Sequence, residues 1–171
     1  LLETGVEGVT LEAVSARSGV AKSTLYRHFT SKEALVVEAA RRFVVEHPTP
    51  DTGSLAEDLA FLFGRYLPAE EAQRLPDLLP MLIDAANRDP DVRDLVEELL
   101  AVRRRPVRTV LQLAQLRGEI SEDVDLDTAL ALVVGPFTYR RMVDRTPITQ
   151  DFTQQVLDTA IAGLTRAPTP A

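Results

Sequence analysis

Apolar residues recur along this chain at the three- and four-residue spacing of helices. No stretch of useful length alternates in the manner of a strand, and no repeat of fixed period is present. Leu1-Leu2-Glu3-Thr4-Gly5 reads as the last turn of a helix whose start lies ahead of the sequence, closed by a glycine. Thr10 can cap a short helix with Leu11 and Val14 turned inward, and Ser18-Gly19-Val20 interrupts it. From about Ala21 to His28 a second short helix places Ala21, Leu25 and Phe29 on one face, with Ser23 and Arg27 pointing away and Thr24 and Tyr26 flanking them. Thr30-Ser31-Lys32-Glu33 supplies an N-cap with a capping-box glutamate, and Leu35, Val36, Ala39, Ala40, Phe43 and Val44 carry a longer helix to about Glu46.

His47 to Gly53, with two prolines and a glycine, is the clearest linker. It divides the chain into an N-terminal domain, 1–47, and a C-terminal domain, 48–171. Beyond it, Ser54-Leu55-Ala56-Glu57 opens a helix that stops near Pro68, and another is expected from about Leu75 to Arg88 with Pro76 in its first turn. Asp89-Pro90 starts a long helix reaching Arg117 and closed by Gly118, with a kink expected at Pro106. Asp125 or Asp127 starts a helix through Ala129, Leu132, Val133, Phe137 and Tyr139 to about Val143. Thr149 caps a last helix through Phe152, Val156, Leu157 and Ile161 to Leu164, and Ala167 to Ala171 form a loose tail. The expected fold class is all-α.

Composition narrows the chemistry. At 45% apolar and 26% charged, the 171 residues match a globular protein rather than a disordered one. The longest stretch without a formal charge, Thr128 to Tyr139, is twelve residues, short of the roughly 20 needed for a membrane span. No signal peptide is recognisable, so the expected compartment is the cytoplasm. With no cysteine and only His28 and His47 as histidines, thiolate zinc sites, cysteine nucleophiles and histidine-rich metal centres are excluded, and no metal or cofactor is expected.

The net charge of -7 argues at first against a polyanionic partner. Its distribution reverses that reading: residues 1–47 balance to zero, and all the excess acid lies downstream. Between Arg17 and Lys32 stand four basic residues and no acid, including both lysines of the chain. A solvated surface would look similar by charge alone, so the pattern must decide.

Two short helices joined by a tight glycine turn, the second exposing small polar and basic residues, form a helix-turn-helix over Thr10 to Phe29. In that geometry Lys22, Ser23 and Arg27 can reach base edges in a major groove. Thr10, Thr24, Tyr26, His28 and Lys32 suit phosphate oxygens, which position the protein without specifying sequence. The partner this implies is double-stranded DNA.

Thr10-Leu11-Glu12-Ala13-Val14, Gly19-Val20, and Ser23-Thr24-Leu25-Tyr26-Arg27-His28-Phe29-x-Ser31-Lys32-Glu33-x-Leu35 resemble the TetR/AcrR transcriptional regulators of bacteria. Asp51-Thr52-Gly53-Ser54-Leu55-x-x-Asp58-Leu59, Gly118-Glu119-Ile120 and Gly135-Pro136-Phe137-x-Tyr139-Arg140 are similar, more loosely, to one C-terminal subgroup. Two positions depart from the pattern: Ala21 replaces a common capping serine, and Ser15 a usual alanine. The resemblance implies a three-helix DNA-binding domain with its first helix truncated, and a C-terminal helical domain that binds a small-molecule effector and forms a homodimer through the last two helices, about Asp127 to Val143 and Thr149 to Leu164. It implies a repressor that leaves a palindromic operator when the effector binds.

An effector pocket between the C-terminal helices would be mostly apolar, with Phe63, Tyr66, Met81, Leu82, Phe137 and Tyr139 as its bulky candidates; each also fits an ordinary core position. Arg103-Arg104-Arg105 could meet an anionic effector or remain solvated. Two other readings compete: a helix-turn-helix scaffold that binds no DNA, and a small all-α enzyme using acid pairs such as Asp123 with Asp125 or Glu97 with Glu98. Adjacent acids diverge on a helix, which opposes the enzyme, and the polar outer face of the second helix opposes the scaffold.

Overall fold

The computed structural model describes residues 9–41, 48–66 and 70–165, with the side chains of 65, 66, 70–77 and 91 outside the description. The helix end expected at Leu1 to Gly5, the end of the third helix at Phe43 to Glu46, and the tail from Ala167 lie outside the described residues. Among the described residues there are eight α-helices and no strand: α1 Leu11–Ser18, α2 Lys22–His28, α3 Lys32–Arg41, α4 Leu55–Tyr66, α5 Glu70–Arg88, α6 Pro90–Leu116, α7 Leu126–Tyr139 and α8 Gln150–Leu164, with a π-helical turn at Arg140–Asp144. The fold is all-α. No helix among the described residues is long and apolar enough to cross a membrane.

Local chemistry sets most boundaries. Thr10 Oγ1 accepts from the Ala13 N–H at 3.0 Å and Thr149 from the Phe152 N–H at 3.2 Å, each satisfying a donor that the helix start leaves unpaired. Asp125, the first of the two acids considered, caps α7 by accepting from Thr128 N–H at 2.7 Å. Its carboxyl is held below the ordinary aspartate range, first by that backbone bond. Pro90 occupies the first position of α6, where a missing N–H costs nothing, and α6 continues through Pro106.

Five expectations need correction. The cap of α3 is Ser31, whose Oγ accepts from Ala34 N–H at 3.1 Å, so Glu33 falls one position short of a capping-box partner. At α4, the Ser54 N–H donates to Thr52 Oγ1 at 3.3 Å, so the reciprocal bond is not made by Glu57. Helix α5 begins at Glu70, so Pro76 lies in the helix interior rather than in its first turn. The buried stripe of α3 is Ala34, Val36, Val37 and Ala40, which leaves Leu35 and Ala39 half-buried; on α7, Leu130 is buried and Leu132 exposed.

Contacts divide the chain into two units, one within Leu1–Val44 and Leu78–Ala101, the other within Val45–Asp77 and Val102–Ala171. The first contains the α1–α2 pair. Arg41 on α3 grips Glu98 on α6 with two nitrogens, and the Arg93 Nε donates to the Ala86 carbonyl at 3.1 Å, tying α6 to α5. The second has a continuous apolar core including Leu55, Leu59, Leu62, Val110, Leu111, Ile120, Val133, Leu157 and Leu164. Here α8 packs on α4 and α7.

An ion cluster built on the buried Asp58 lies in this second unit. Asp58, fully buried, accepts from the Thr52 N–H at 2.8 Å, the Thr52 hydroxyl at 2.9 Å and Arg117 Nη2 at 3.1 Å. Arg117 also donates to Glu119 at 2.7 Å and Asp51 at 2.9 Å, and Glu119 accepts from the Leu55 N–H at 2.8 Å. The guanidinium is held above its ordinary range, first by the Glu119 bond and then by Asp58. The cluster thus satisfies an orphan donor at the start of α4 while joining it to the turn after α6.

Candidate nucleic-acid interface

The turn between α1 and α2 is held from both sides. Gly19 takes φ 73°, a left-handed conformation that glycine adopts without a Cβ penalty, and its N–H donates to the Ser15 carbonyl at 3.0 Å. The Ser15 hydroxyl donates to the Val20 carbonyl at 2.7 Å, and Ser18 Oγ accepts from the Val20 N–H at 3.2 Å. Ser15, which departs from the family pattern, is therefore a staple of the turn. Ala21 precedes α2 without a side-chain cap; it is exposed rather than sharing an inward face with Leu25.

Leu25 is the buried residue of α2, and it fixes which way the rest of this short helix faces. Lys22, Ser23, Tyr26, Arg27 and His28 are exposed, Thr24 is half-buried, Thr10 is exposed at the start of α1, and Lys32 is half-buried at the start of α3. The predicted base-reaching residues Lys22, Ser23 and Arg27 thus stand on one short helix, with Tyr26 beside them at 54% exposure. At that exposure Tyr26 is a surface residue and not part of the core.

One member of this surface was not legible from spacing. Glu12, on α1, accepts from the Tyr26 hydroxyl at 3.1 Å and lies 3.7 Å from Lys22 Nζ. Its carboxyl is held below the ordinary range, first by its own backbone N–H and then by Tyr26, whose hydroxyl is pushed up in turn by Glu12. At neutral pH the pair is a carboxylate and a protonated phenol.

The effector candidates are divided between the two units. Phe63 stacks on Phe137 with centroids 4.6 Å apart, Phe137 meets Phe152 edge-on at 5.7 Å, and Arg140 covers the Phe152 ring at 4.2 Å. Tyr139 is exposed, and Tyr66's side chain lies outside the described residues. Met81 and Leu82 belong to the other unit, where Leu82 is fully buried. Of the arginine run, Arg104 and Arg105 are exposed while Arg103 is half-buried. An open groove of about 490 Å³, lined by residues including Thr109, Leu113, Leu116 and Leu126, shares none of the predicted pocket residues. No group of three or more acids or histidines that could hold a metal occurs among the described residues.

Two helices joined by a left-handed glycine turn, the second presenting a basic and polar face, define a helix-turn-helix protein. Comparison with known proteins names its family. Residues 1–39 match the family model of bacterial regulatory proteins of the tetR family, and 49–160 match the tetracyclin repressor-like C-terminal domain. An HTH-type transcriptional regulator of Mycobacterium bovis is 32% identical over 173 residues, spanning 98% of this chain and 83% of that protein. A DNA-binding transcriptional repressor TetR of Mycobacteroides abscessus is 28% identical, spanning 97% of this chain and 88% of its own length. The crystal structure of a TetR family transcription regulator superposes with a TM-score of 0.69 at 28% identity, covering 98% of this chain and 92% of that one. The chain belongs to the TetR family and is a helix-turn-helix transcriptional regulator.

Proposed function

We propose that this regulator is a homodimeric repressor that reads a palindromic operator with α2 and is released from it by a small-molecule effector. The observation that carries the reading is the α2 face, where Leu25 is buried while Lys22, Ser23, Tyr26 and Arg27 all stand exposed. Lys22, Ser23 and Arg27 contact base edges; Thr10, Thr24, Tyr26, His28 and Lys32 contact phosphates. Residues 1–47 serve as the DNA-binding domain and 48–171 as the effector and dimer domain.

Dimerisation runs through α7, the π-helical turn and α8, a reading supported by the exposed Leu132, Tyr139 and Val143. Two-fold symmetry would double the few cationic contacts that each protomer offers. The effector would lie in the C-terminal domain against the Phe63–Phe137 stack and release DNA by preferring a conformation whose recognition helices no longer match the operator spacing. A protein with this role acts in the cytoplasm and needs no catalytic chemistry.

A gel-shift assay with the full-length chain and the duplex immediately upstream of its own gene tests the reading. Lys22→Ala and Tyr26→Phe should both weaken the shifted band; parent-like binding by both variants would show that this face does not meet DNA. A thermal-shift screen tests the effector, since a ligand at 100 times its dissociation constant raises stability by about 2.7 kcal/mol.

A further inference from the structure

Between Arg17 and Lys32 the sequence contains no acid, yet the fold delivers one to the centre of that basic window. Glu12 comes from the preceding helix, and its Oε1 both accepts from the Tyr26 hydroxyl at 3.1 Å and faces Lys22 Nζ at 3.7 Å. Those are the bonds that a DNA phosphate oxygen would make to the same two side chains: an anionic oxygen receiving one hydroxyl proton and one ammonium. The carboxylate is an internal stand-in for the phosphate.

We propose that Glu12 is a specificity-determining positioning residue, an internal anion that occupies Lys22 and Tyr26 in the free protein and so suppresses binding to DNA of random sequence. The proposal rests on the reading that α2 faces DNA. On a duplex of random sequence Lys22 can only exchange Glu12 for a phosphate oxygen, one anionic partner for another, and little is gained; on the operator Lys22 leaves Glu12 for a base edge, and the contacts of Ser23 and Arg27 to matching bases form at the same time. Lys22 and Glu12 are 58% and 52% exposed, so their pairing is weak, equivalent to a factor of roughly 1.5 to 5 per protomer. That is enough to bias a search among many non-cognate sites without blocking a cognate one.

The test measures binding of the full chain to a labelled mixed-sequence duplex by fluorescence anisotropy, between about 50 and 200 mM salt. The parent is compared with Glu12→Gln, Lys22→Ala and the double variant. Glutamine keeps the size of the side chain and its acceptor for Tyr26 but removes the charge. Lys22→Ala should weaken binding, and Glu12→Gln should tighten it by roughly 1.5- to 5-fold per protomer, with a salt dependence steeper by up to about 0.9 per protomer. In the Lys22→Ala background most of that gain should vanish. If Lys22→Ala weakens binding while Glu12→Gln matches the parent, the role of Glu12 is refuted and the assignment of the face stands. If Lys22→Ala also matches the parent, the assignment of the face fails, and Glu12 with it. An undiminished gain from Glu12→Gln in the Lys22→Ala background would mean general charge repulsion, and would equally overturn the proposal.

Discussion

Replacing Asp58 by alanine tests the ion cluster of the C-terminal unit. The change removes an acceptor from three donors, the Thr52 N–H, the Thr52 hydroxyl and Arg117 Nη2, at a site with no solvent exposure. Breaking a buried pair by deleting one partner costs about 3–5 kcal/mol. Two features place this case at the lower end. Arg117 keeps Glu119 and Asp51 as partners, and Thr52 is exposed, so water can replace part of what it loses. The expected destabilisation is about 3 kcal/mol, or a Tm lower by roughly 6–12 °C for a chain of this size. Urea unfolding followed by circular dichroism at one fixed protein concentration measures it, since the proposed dimer would make stability concentration-dependent. A loss for Asp58→Ala below about 0.5 kcal/mol would be the ordinary cost of a surface substitution and would refute the cluster as a source of stability.

Leu25→Ala, by deleting the buried anchor of α2, should cost about 2–4 kcal/mol in chemical denaturation and abolish DNA binding under conditions where the C-terminal unit remains helical. Thr149→Ala should lower stability by about 1 kcal/mol through the lost cap of α8, whereas Thr149→Ser should match the parent in the same assay. Asp125→Asn carries a pH signature. Because the folded carboxyl is held below its ordinary value, it contributes stability above the ordinary aspartate range and loses that contribution as pH falls through the lowered value. The variant's urea midpoint should therefore lie below the parent's at pH 7, and the gap should narrow as pH falls below the ordinary aspartate range; a constant gap would exclude the charged cap as its cause.

Legibility from sequence followed the range of the interactions. The helix-turn-helix could be read because its determinants are local: Thr10 caps α1, Gly19 ends it, and one buried leucine fixes the outward face of a seven-residue α2. The starts of α6 and α8 were equally readable from Pro90 and Thr149, and that of α7 down to a choice between Asp125 and Asp127. Features made by residues far apart in sequence were not. Asp58 and Arg117 lie 59 positions apart, Arg41 and Glu98 lie 57 apart, and nothing in either neighbourhood announces its partner. Glu12 was hidden for the same reason: from the sequence it is one more exposed acid on a helix, and only the packing of α1 on α2 brings it to Lys22 and Tyr26. The rotation of α3 that buries Val37 and leaves Leu35 half-exposed is a finer failure, since neighbouring apolar residues leave the direction of a helix face under-determined.

That α2 is the DNA-reading helix is tested most directly by comparing two arginine deletions of equal charge. Arg27 is exposed on α2 and Arg104 is exposed on α6. Affinity of the full chain for the duplex upstream of its own gene, measured by anisotropy at fixed salt, should fall at least about 10-fold for Arg27→Ala and stay at the parent's value for Arg104→Ala. Equal losses, or none for Arg27→Ala, would contradict the account.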